Sequence, residues 1–192
     1  MKRTVILLAS VAMMMMFNAC RSSKPVPVTP QQQGKVEVEL PCVEESYDND
    51  QFFKALGTAT NMNMQNSRSA AMDAAKSMLM KRLGGFAKGL ATDYSRAVAG
   101  DAQVDKVQRL VEGEVTMVIE RLVNDAYKTC EKMYQNSAGN YESYISIKVS
   151  KEEVIRQSQS QLSKNQELEI EFNRDQFRKF AEKRMKEMQG NN

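Results

Sequence analysis

Histidine and tryptophan are both absent from this chain of 192 residues. The lack of histidine excludes serine–histidine–aspartate triads, histidine-ligated metals and imidazole proton shuttles. A strong charge of either sign is also missing, since 27 Lys and Arg side chains accompany 24 Asp and Glu. So small an excess does not provide the basic surface that nucleic acid requires. We therefore expect no nucleic-acid partner, and the composition favours binding or assembly over catalysis.

A hydrophobic run long enough to span a bilayer is lacking as well. The largely apolar stretch from Val5 to Phe17 is shorter than the roughly 20 residues that a spanning helix needs. Lys2 and Arg3 precede it, and Asn18-Ala19-Cys20 follows it. A charged start, an apolar middle and a small residue before the cleavage point are typical of an export signal. We therefore predict that residues 1–19 are a signal peptide that is removed.

The end of this leader, Phe17-Asn18-Ala19-Cys20, resembles a bacterial lipobox, in which the cysteine is diacylated on sulfur and becomes the new N-terminus. Several acyl chains on one residue anchor a protein stably, whereas one chain binds marginally. We predict that Cys20 is the lipidation site and ties the protein to the bilayer. Cleavage nearby, giving a soluble exported protein, is the alternative. Residues 21–24 contain no acidic cluster, which favours a periplasm-facing position at the outer membrane.

Prolines and glutamines dominate the next stretch, with Pro25, Pro27, Pro30 and Gln at 31–33. Such a composition buries too little apolar surface to become ordered by itself. We interpret residues 20–34 as a flexible linker between the acylated Cys20 and a folded domain. That domain is predicted over residues 35–164, and a C-terminal helical extension over residues 165–192.

Two cysteines remain besides the anchor, Cys42 and Cys130. In an oxidising cell envelope such a pair predicts a disulfide. Closing a loop of this size would stabilise the fold by about 4 kcal/mol in the chain-entropy model. Two separate buried thiols or a redox pair are the alternatives, although neither cysteine lies in a C-x-x-C motif.

Alternation of apolar and polar residues predicts several β-strands. A first strand is expected near Lys35–Leu40, and a second over Phe52–Ala59. Lys128–Tyr134 and Tyr141–Val149 are joined by residues typical of turns, which predicts a hairpin whose second arm buries its odd-numbered face. Leu168, Ile170 and Phe172 suggest a short strand or an extended crossing.

Two long helices are expected between these strands. Apolar residues at steps of three and four begin near Ser67, where capping would explain the serine, and the pair Gly84-Gly85 is expected to kink or divide this helix. The second helix covers about Asp101–Tyr127, with Asp101 as its N-cap. Its apolar stripe would pack onto the sheet or, alternatively, pair with another subunit.

Two capping patterns predict shorter helices near the C-terminus. Ser150-Lys151-Glu152-Glu153 forms a capping box, so a helix should begin at Lys151. Asn173 and Gln176 can cap another, which would present Phe177 and Phe180 along one side.

The order of these elements resembles that of a known family. The residues that carry the resemblance are Pro41-Cys42, Phe53–Ala59 (FKALGTA), the helix segment Arg68–Ala75 (RSAAMDAA) and Tyr144–Ser150 (YISIKVS). They are similar to the Lpp-twenty family of bacterial envelope lipoproteins, from about residue 35 to residue 164. The resemblance implies an α+β fold, a small antiparallel β-sheet packed against two long helices, to which the C-terminal helices are added. It implies no enzyme, and some relatives are structural parts of outer-membrane or flagellum-associated rings.

Catalytic constellations are not evident. Glu44-Glu45 and Glu152-Glu153 are adjacent carboxylates that point in different directions on a regular backbone, so neither pair suits acid–base catalysis. Gly84-Gly85 lacks the spacing of a phosphate loop. We therefore expect no cofactor, no metal and no enzyme activity, but a structural or interaction module that contacts the bilayer, another copy of itself or another envelope protein. The alternative is a periplasmic carrier that binds a small apolar ligand or a peptide between sheet and helices.

Overall fold

A computed structural model describes residues 39–165 and 172–190. A short 3₁₀ turn, Glu44–Ser46, comes before the first strand. The strands and α-helices that follow are, in chain order, β1 (Phe52–Asn61), α1 (Met64–Val98), α2 (Val104–Asn124), β2 (Tyr127–Gln135), β3 (Tyr141–Ser150), α3 (Lys151–Leu162) and α4 (Arg174–Gly190). This architecture confirms the predicted α+β class.

The sheet is antiparallel, with β3 between β1 and β2. β1 pairs with β3 in one unbroken register, and the β2–β3 pairing shifts once, between Lys128 and Cys130. The predicted hairpin and its buried odd-numbered face are confirmed, because Ile145, Ile147 and Val149 are buried. Within residues 39–165 and 172–190, β1 and β2 are the edge strands of this sheet.

The hydrophobic core lies between one face of the sheet and α1, and α2 joins it by packing against α1 and α3. The predicted packing of the second helix onto the sheet is therefore replaced by packing onto other helices. The closest contact of the core is at Gly57, which lies beneath α1: a Cβ added there would lie 2.9 Å from the Cα of Ala75 and closer still to the backbone oxygen of Ala71. Ala71 and Ala75 are fully buried. Because only glycine on the strand and alanine on the helix allow this approach, these small residues bring the two backbones together.

α1 corrects two of the sequence predictions. It begins at Met64, where Asn63 is the cap and its Oδ1 accepts a hydrogen bond from the Asn66 N–H at 3.0 Å. Ser67 is therefore not the start of the helix. The helix then continues undivided through Gly84 and Gly85, since the residues around this pair, Leu83, Phe86 and Ala87, are buried in the core and hold the helix in place.

The N-cap predicted for α2 is also wrong. Asp101 lies in the turn before the helix, and Gln103 occupies the N-cap position without a side-chain hydrogen bond. The other two predicted caps are confirmed. The Glu153 N–H donates to Ser150 Oγ at 3.3 Å, and the Gln176 N–H donates to Asn173 Oδ1 at 2.9 Å.

The last helix packs against the domain. Phe177, Ala181 and Met185 on α4 are buried, and the Arg184 guanidinium donates two hydrogen bonds to Asp93 on α1 at 2.7 and 3.0 Å. The C-terminal helix therefore contributes to the same core as the sheet.

Several predictions fall outside the described residues. Cys20, the signal peptide and the linker do so, as do residues 35–38 of the first predicted strand and 166–171 of the proposed crossing. Glu39 and Leu40, the described end of that first strand, have no regular secondary structure.

Gly57→Ala should lower the free energy of unfolding by about 2 kcal/mol or more, because a Cβ forced against a helix backbone must push the two layers apart. Chemical denaturation would measure the loss. Gly113→Ala is the matched control: nothing lies within 4 Å of the added Cβ, and helix propensity predicts a gain of up to about 1 kcal/mol. Equal effects at the two sites would contradict close packing at Gly57.

Candidate functional site

The residues before β1 cross the face of the sheet that α1 and α2 leave uncovered. This crossing segment, residues 39–51, contacts the sheet at β2 through Cys42 and at β3 through Glu45, whose carbonyl accepts a hydrogen bond from Ser146 Oγ at 2.9 Å. Ser146 is fully buried, although it alternates with the core residues Ile145 and Ile147. The crossing segment therefore protects a second face of a small sheet.

Cys42 and Cys130 are bonded to each other, with their Cα atoms 5.6 Å apart. The bond joins the crossing segment to β2 and closes a loop that contains β1, α1 and α2. Cys42 also has a φ of 63°, in the left-handed region that costs a residue with a side chain about 1 kcal/mol or more. The disulfide and the packing around it hold the chain in this turn.

An ion pair fixes the other end of the crossing segment. The Asp48 carboxylate, whose side chain is 4% exposed, pairs with the Arg82 guanidinium of α1. Asp48 Oδ1 also accepts a hydrogen bond from the Lys54 N–H at 2.7 Å, and Arg82 donates to the Lys54 carbonyl at 2.8 Å. Asp48 and Arg82 together therefore cover one residue of the exposed edge of β1.

Lys151 is buried beside this ion pair. Its Nζ donates to the Asn49 carbonyl at 2.7 Å and lies 5.0 Å from the centre of the Phe53 ring. Removal of the ammonium from water lowers the pKa of Lys151, and the charges of Asp48 and Asp50 oppose the change. The capping box predicted a helix start at this position, but the local pattern contains no signal that the lysine side chain is buried.

A surface cleft of about 620 Å³ opens next to Lys151. Apolar groups of Phe52, Ile155 and Met185 line it together with charges of both signs, among them Glu152 and Glu182. Both carboxylates pair with Arg178, which lowers the pKa of Glu152. The Glu152–Arg178 pair joins α3 to α4 and the Glu182–Arg178 pair lies within α4, so both of these carboxylates are engaged in ion pairs.

The adjacent carboxylates considered for catalysis have separate partners. Glu152 pairs with Arg178 on α4, while Glu153 pairs with Arg156 on its own helix. The hydrogen bond from Arg156, helped by Gln157, lowers the pKa of Glu153 to about 2. The two carboxylates therefore do not converge on a common point. Within residues 39–165 and 172–190, no cluster of three or more His, Cys, Asp or Glu side chains is placed to hold a metal ion.

Ser67 has a tertiary role that its sequence context did not reveal. Its Oγ lies 2.8 Å from the Ser143 Oγ and within hydrogen-bonding distance of the carbonyls of Ala59, at 3.0 Å, and Tyr141, at 2.8 Å, one of which accepts its single proton. The buried hydroxyl thus links α1 to both β1 and β3. At Gly57 the sheet and helix backbones touch, so this part of the interface has no room for the ligand of the carrier hypothesis.

The uncovered part of the outer sheet face carries aromatic side chains. Tyr134 and Tyr144 meet edge to face with ring centres 6.0 Å apart, and Tyr134 is 50% exposed. Lys148 Nζ lies 4.4 Å from the centre of the Phe52 ring at the other end of the face. Exposed tyrosines are enriched at protein interfaces, so this face is a candidate contact surface.

Reduction of the disulfide should raise the number of free thiols by two and lower stability by up to about 4 kcal/mol, since the reduced chain regains the entropy of a long loop. A thiol assay under denaturing conditions measures the number of free thiols. Chemical denaturation of Cys42→Ser/Cys130→Ser measures the loss of stability. An unchanged thiol count would exclude the bond.

Arg82→Met should destabilise the fold by about 3 kcal/mol, because it leaves the buried Asp48 carboxylate without its cationic partner. Arg96→Met is the control, since Arg96 is an exposed arginine on the same helix. Thermal unfolding of both variants would measure their loss of stability relative to the unmodified chain. Equal, small changes would show that the Asp48–Arg82 pair adds no stability.

Comparison with known proteins yields no relative. No protein-family model, no curated protein and no solved structure matches this chain. The resemblance to the Lpp-twenty family therefore stays a hypothesis that depends on the quoted motifs, and function must be inferred from the geometry of the described residues.

Proposed function

We propose that this chain is a cell-envelope lipoprotein, tethered to the outer membrane through acylated Cys20 and acting in the periplasm as a structural or interaction module. The observation that carries this proposal is the Cys42–Cys130 bond. Disulfides persist in oxidising compartments such as the periplasm. The bond thus supports export, and the lipobox-like sequence ending at Cys20 supplies the route and the anchor.

The described part of the chain contains no helix long and apolar enough to cross a membrane. In the proposal the acyl chains on Cys20 supply the membrane attachment instead, and several chains are enough for stable anchoring. Residues 20–34 would then act as the spacer between the lipid head groups and the domain.

A binding role fits the way in which the polar groups of the domain are used. Several charged side chains are engaged in ion pairs that join elements, as Arg68 and Glu131 join α1 to β2. The exposed groups of the outer sheet face include Tyr134, which contacts the half-buried Tyr144. Tyrosines suit contact with another protein better than turnover of a substrate. We therefore favour assembly over catalysis.

Cys20→Ala should abolish labelling by an alkyne-bearing fatty acid and move the protein from the membrane fraction to the soluble periplasmic fraction. The thioether and amide positions that carry the acyl chains would both be lost. Labelling of cells followed by gel fluorescence measures the incorporation of fatty acid. Fractionation with immunoblotting measures the distribution between the membrane and soluble fractions.

The matched control is Cys42→Ser/Cys130→Ser, which removes the other two cysteines and should keep the label. Persistent labelling of Cys20→Ala would refute the lipobox assignment. Lack of labelling in the unmodified chain would refute the anchor itself and favour a soluble exported protein.

A further inference from the structure

The exposed edge of β1 is covered along only half of its length. Asn49 exchanges hydrogen bonds with the backbone of Phe52, and Asp48 and Arg82 bind the N–H and C=O of Lys54. These groups point away from β3. Since β1 pairs with β3 without a register shift, alternate residues direct their backbone groups to the same side.

Leu56, Thr58 and Thr60 continue this outward-facing row. Among the hydrogen bonds of the described residues, none reaches the backbone N–H or C=O of these three positions. Thr58 and Thr60 are exposed, and Leu56 is half-buried. We call Leu56–Thr60 the open window of β1.

The open window lacks the features that normally protect a sheet edge. Proteins block such edges with lysine, proline or a bulge. The other edge strand, β2, has two of these protecting features. It contains Lys128 and Lys132, and a register shift interrupts the start of its pairing with β3. The window contains only Leu, Gly, Thr and Ala. Its threonines favour strand pairing.

An exposed apolar side chain lies beside the window. Ala71, Ala75, Met78 and Arg82 follow helical spacing and therefore share one face of α1. Ala71 and Ala75 meet Gly57, and Arg82 reaches Lys54. Met78 thus belongs to the stripe that faces β1, yet it is 54% exposed. The long apolar side chain of Met78 is therefore exposed on the face of α1 that is turned toward β1.

We propose that a second copy of this chain pairs with the open window, so that two β1 strands join antiparallel about Thr58. Thr58 then lies opposite Thr58 of the partner subunit, and Leu56 lies opposite Thr60 of the partner subunit. No charged residues oppose each other, whereas pairing of two β2 edges about Lys132 would bring two lysines together. This absence of charge is the reason for choosing a second copy as the occupant.

The symmetry of this pairing leads to a closed dimer. The two-fold axis passes through the joined strands normal to the sheet, so each copy uses the same surface and the contact cannot extend into a fibre. Both helix layers stay on the same side of a continuous sheet of six strands. The exposed Met78 of each copy lies beside the joined strands.

The pairing specifies the assembly role proposed above. It depends on the proposed function only in that the membrane tether would favour the contact. Anchoring two copies in one plane raises their effective concentration and so favours a contact of modest area. The strand geometry itself does not need the lipid.

Thr58→Cys in the full chain provides the test. Residues opposite each other in a hydrogen-bonded antiparallel pair have Cα atoms about 5.5 Å apart, which suits a disulfide. Mild oxidation of cells followed by a non-reducing gel should show a cross-linked dimer. Thr60→Cys should not cross-link, because the two introduced thiols would belong to residues about 14 Å apart along the strands. Ser77→Cys, exposed on α1 away from the edge, is the second control.

A dimer formed by Thr58→Cys alone supports the pairing. Absence of the dimer, or equal cross-linking of Thr58→Cys and Ser77→Cys, overturns it, and a dimer of Thr60→Cys without one of Thr58→Cys overturns the stated register.

Thr58→Pro tests the same contact without a new thiol. Proline removes an N–H that points outward and that no bond in the described fold uses, a position that edge strands tolerate. Detergent-solubilised Thr58→Pro should sediment as a monomer, and Thr58→Val, which keeps the N–H, as a dimer. Matching circular dichroism spectra would establish that both are folded. A dimer of folded Thr58→Pro with the strength of the unmodified chain would refute the pairing, and if this variant does not fold, the cross-link decides.

The two proposals can fail separately. A chain that is not labelled by fatty acid but still cross-links through position 58 would refute the anchor and leave the pairing intact. A chain that is labelled and located in the membrane but does not cross-link would refute the pairing alone.

Discussion

Direct contact between the backbones of β1 and α1 sets the geometry of the whole domain. Gly57 lies against Ala71 and Ala75 with no space for a side chain between them. With this point fixed, α1 crosses the sheet diagonally. Near its start Arg68 reaches Glu131 on β2, and further along Arg82 reaches the outer edge of β1 at Lys54. One helix therefore touches both edges of the sheet, which explains why an unbroken helix is needed.

The same diagonal links the two faces of the sheet. Arg82 belongs to the inner helix layer, yet its ion-pair partner, Asp48, belongs to the crossing segment, which covers the outer face. At the opposite edge the Cys42–Cys130 bond ties that segment to β2. A small sheet is stable only when it has a hydrophobic face or packs against a helix. Here a covalent bond at one edge and a partly buried ion pair at the other hold the sheet between the helix layer and the crossing segment.

The features that could be predicted from the sequence are those that depend on residues close together in the chain. The alternation of β3 and the caps at Ser150 and Asn173 depend on contacts within a few positions, and the structure confirms them. Ser67 resembled a helix cap for the same local reason, but its hydroxyl bonds to strands distant in the chain. Lys151 could not be recognised as buried, because its cover comes from Asn49 and Phe53. Local sequence patterns predict the secondary structure of a segment. The burial of a side chain depends instead on which distant segments pack against it.

If the chain is tethered through Cys20, as proposed, the position of the disulfide has a mechanical consequence. Any pull on the chain before the domain reaches Cys42 first, and the bond to Cys130 passes it directly to β2 and from there to the central strand. The hydrogen bond at Glu45 and the Asp48–Arg82 pair lie beyond that covalent link, so they bear little of the load. If the chain is tethered through Cys20 and copies of the domain assemble through the open window of β1, the disulfide and the assembling edge lie at opposite edges of one sheet. The tether and the partner copy then do not compete for the same strand edge.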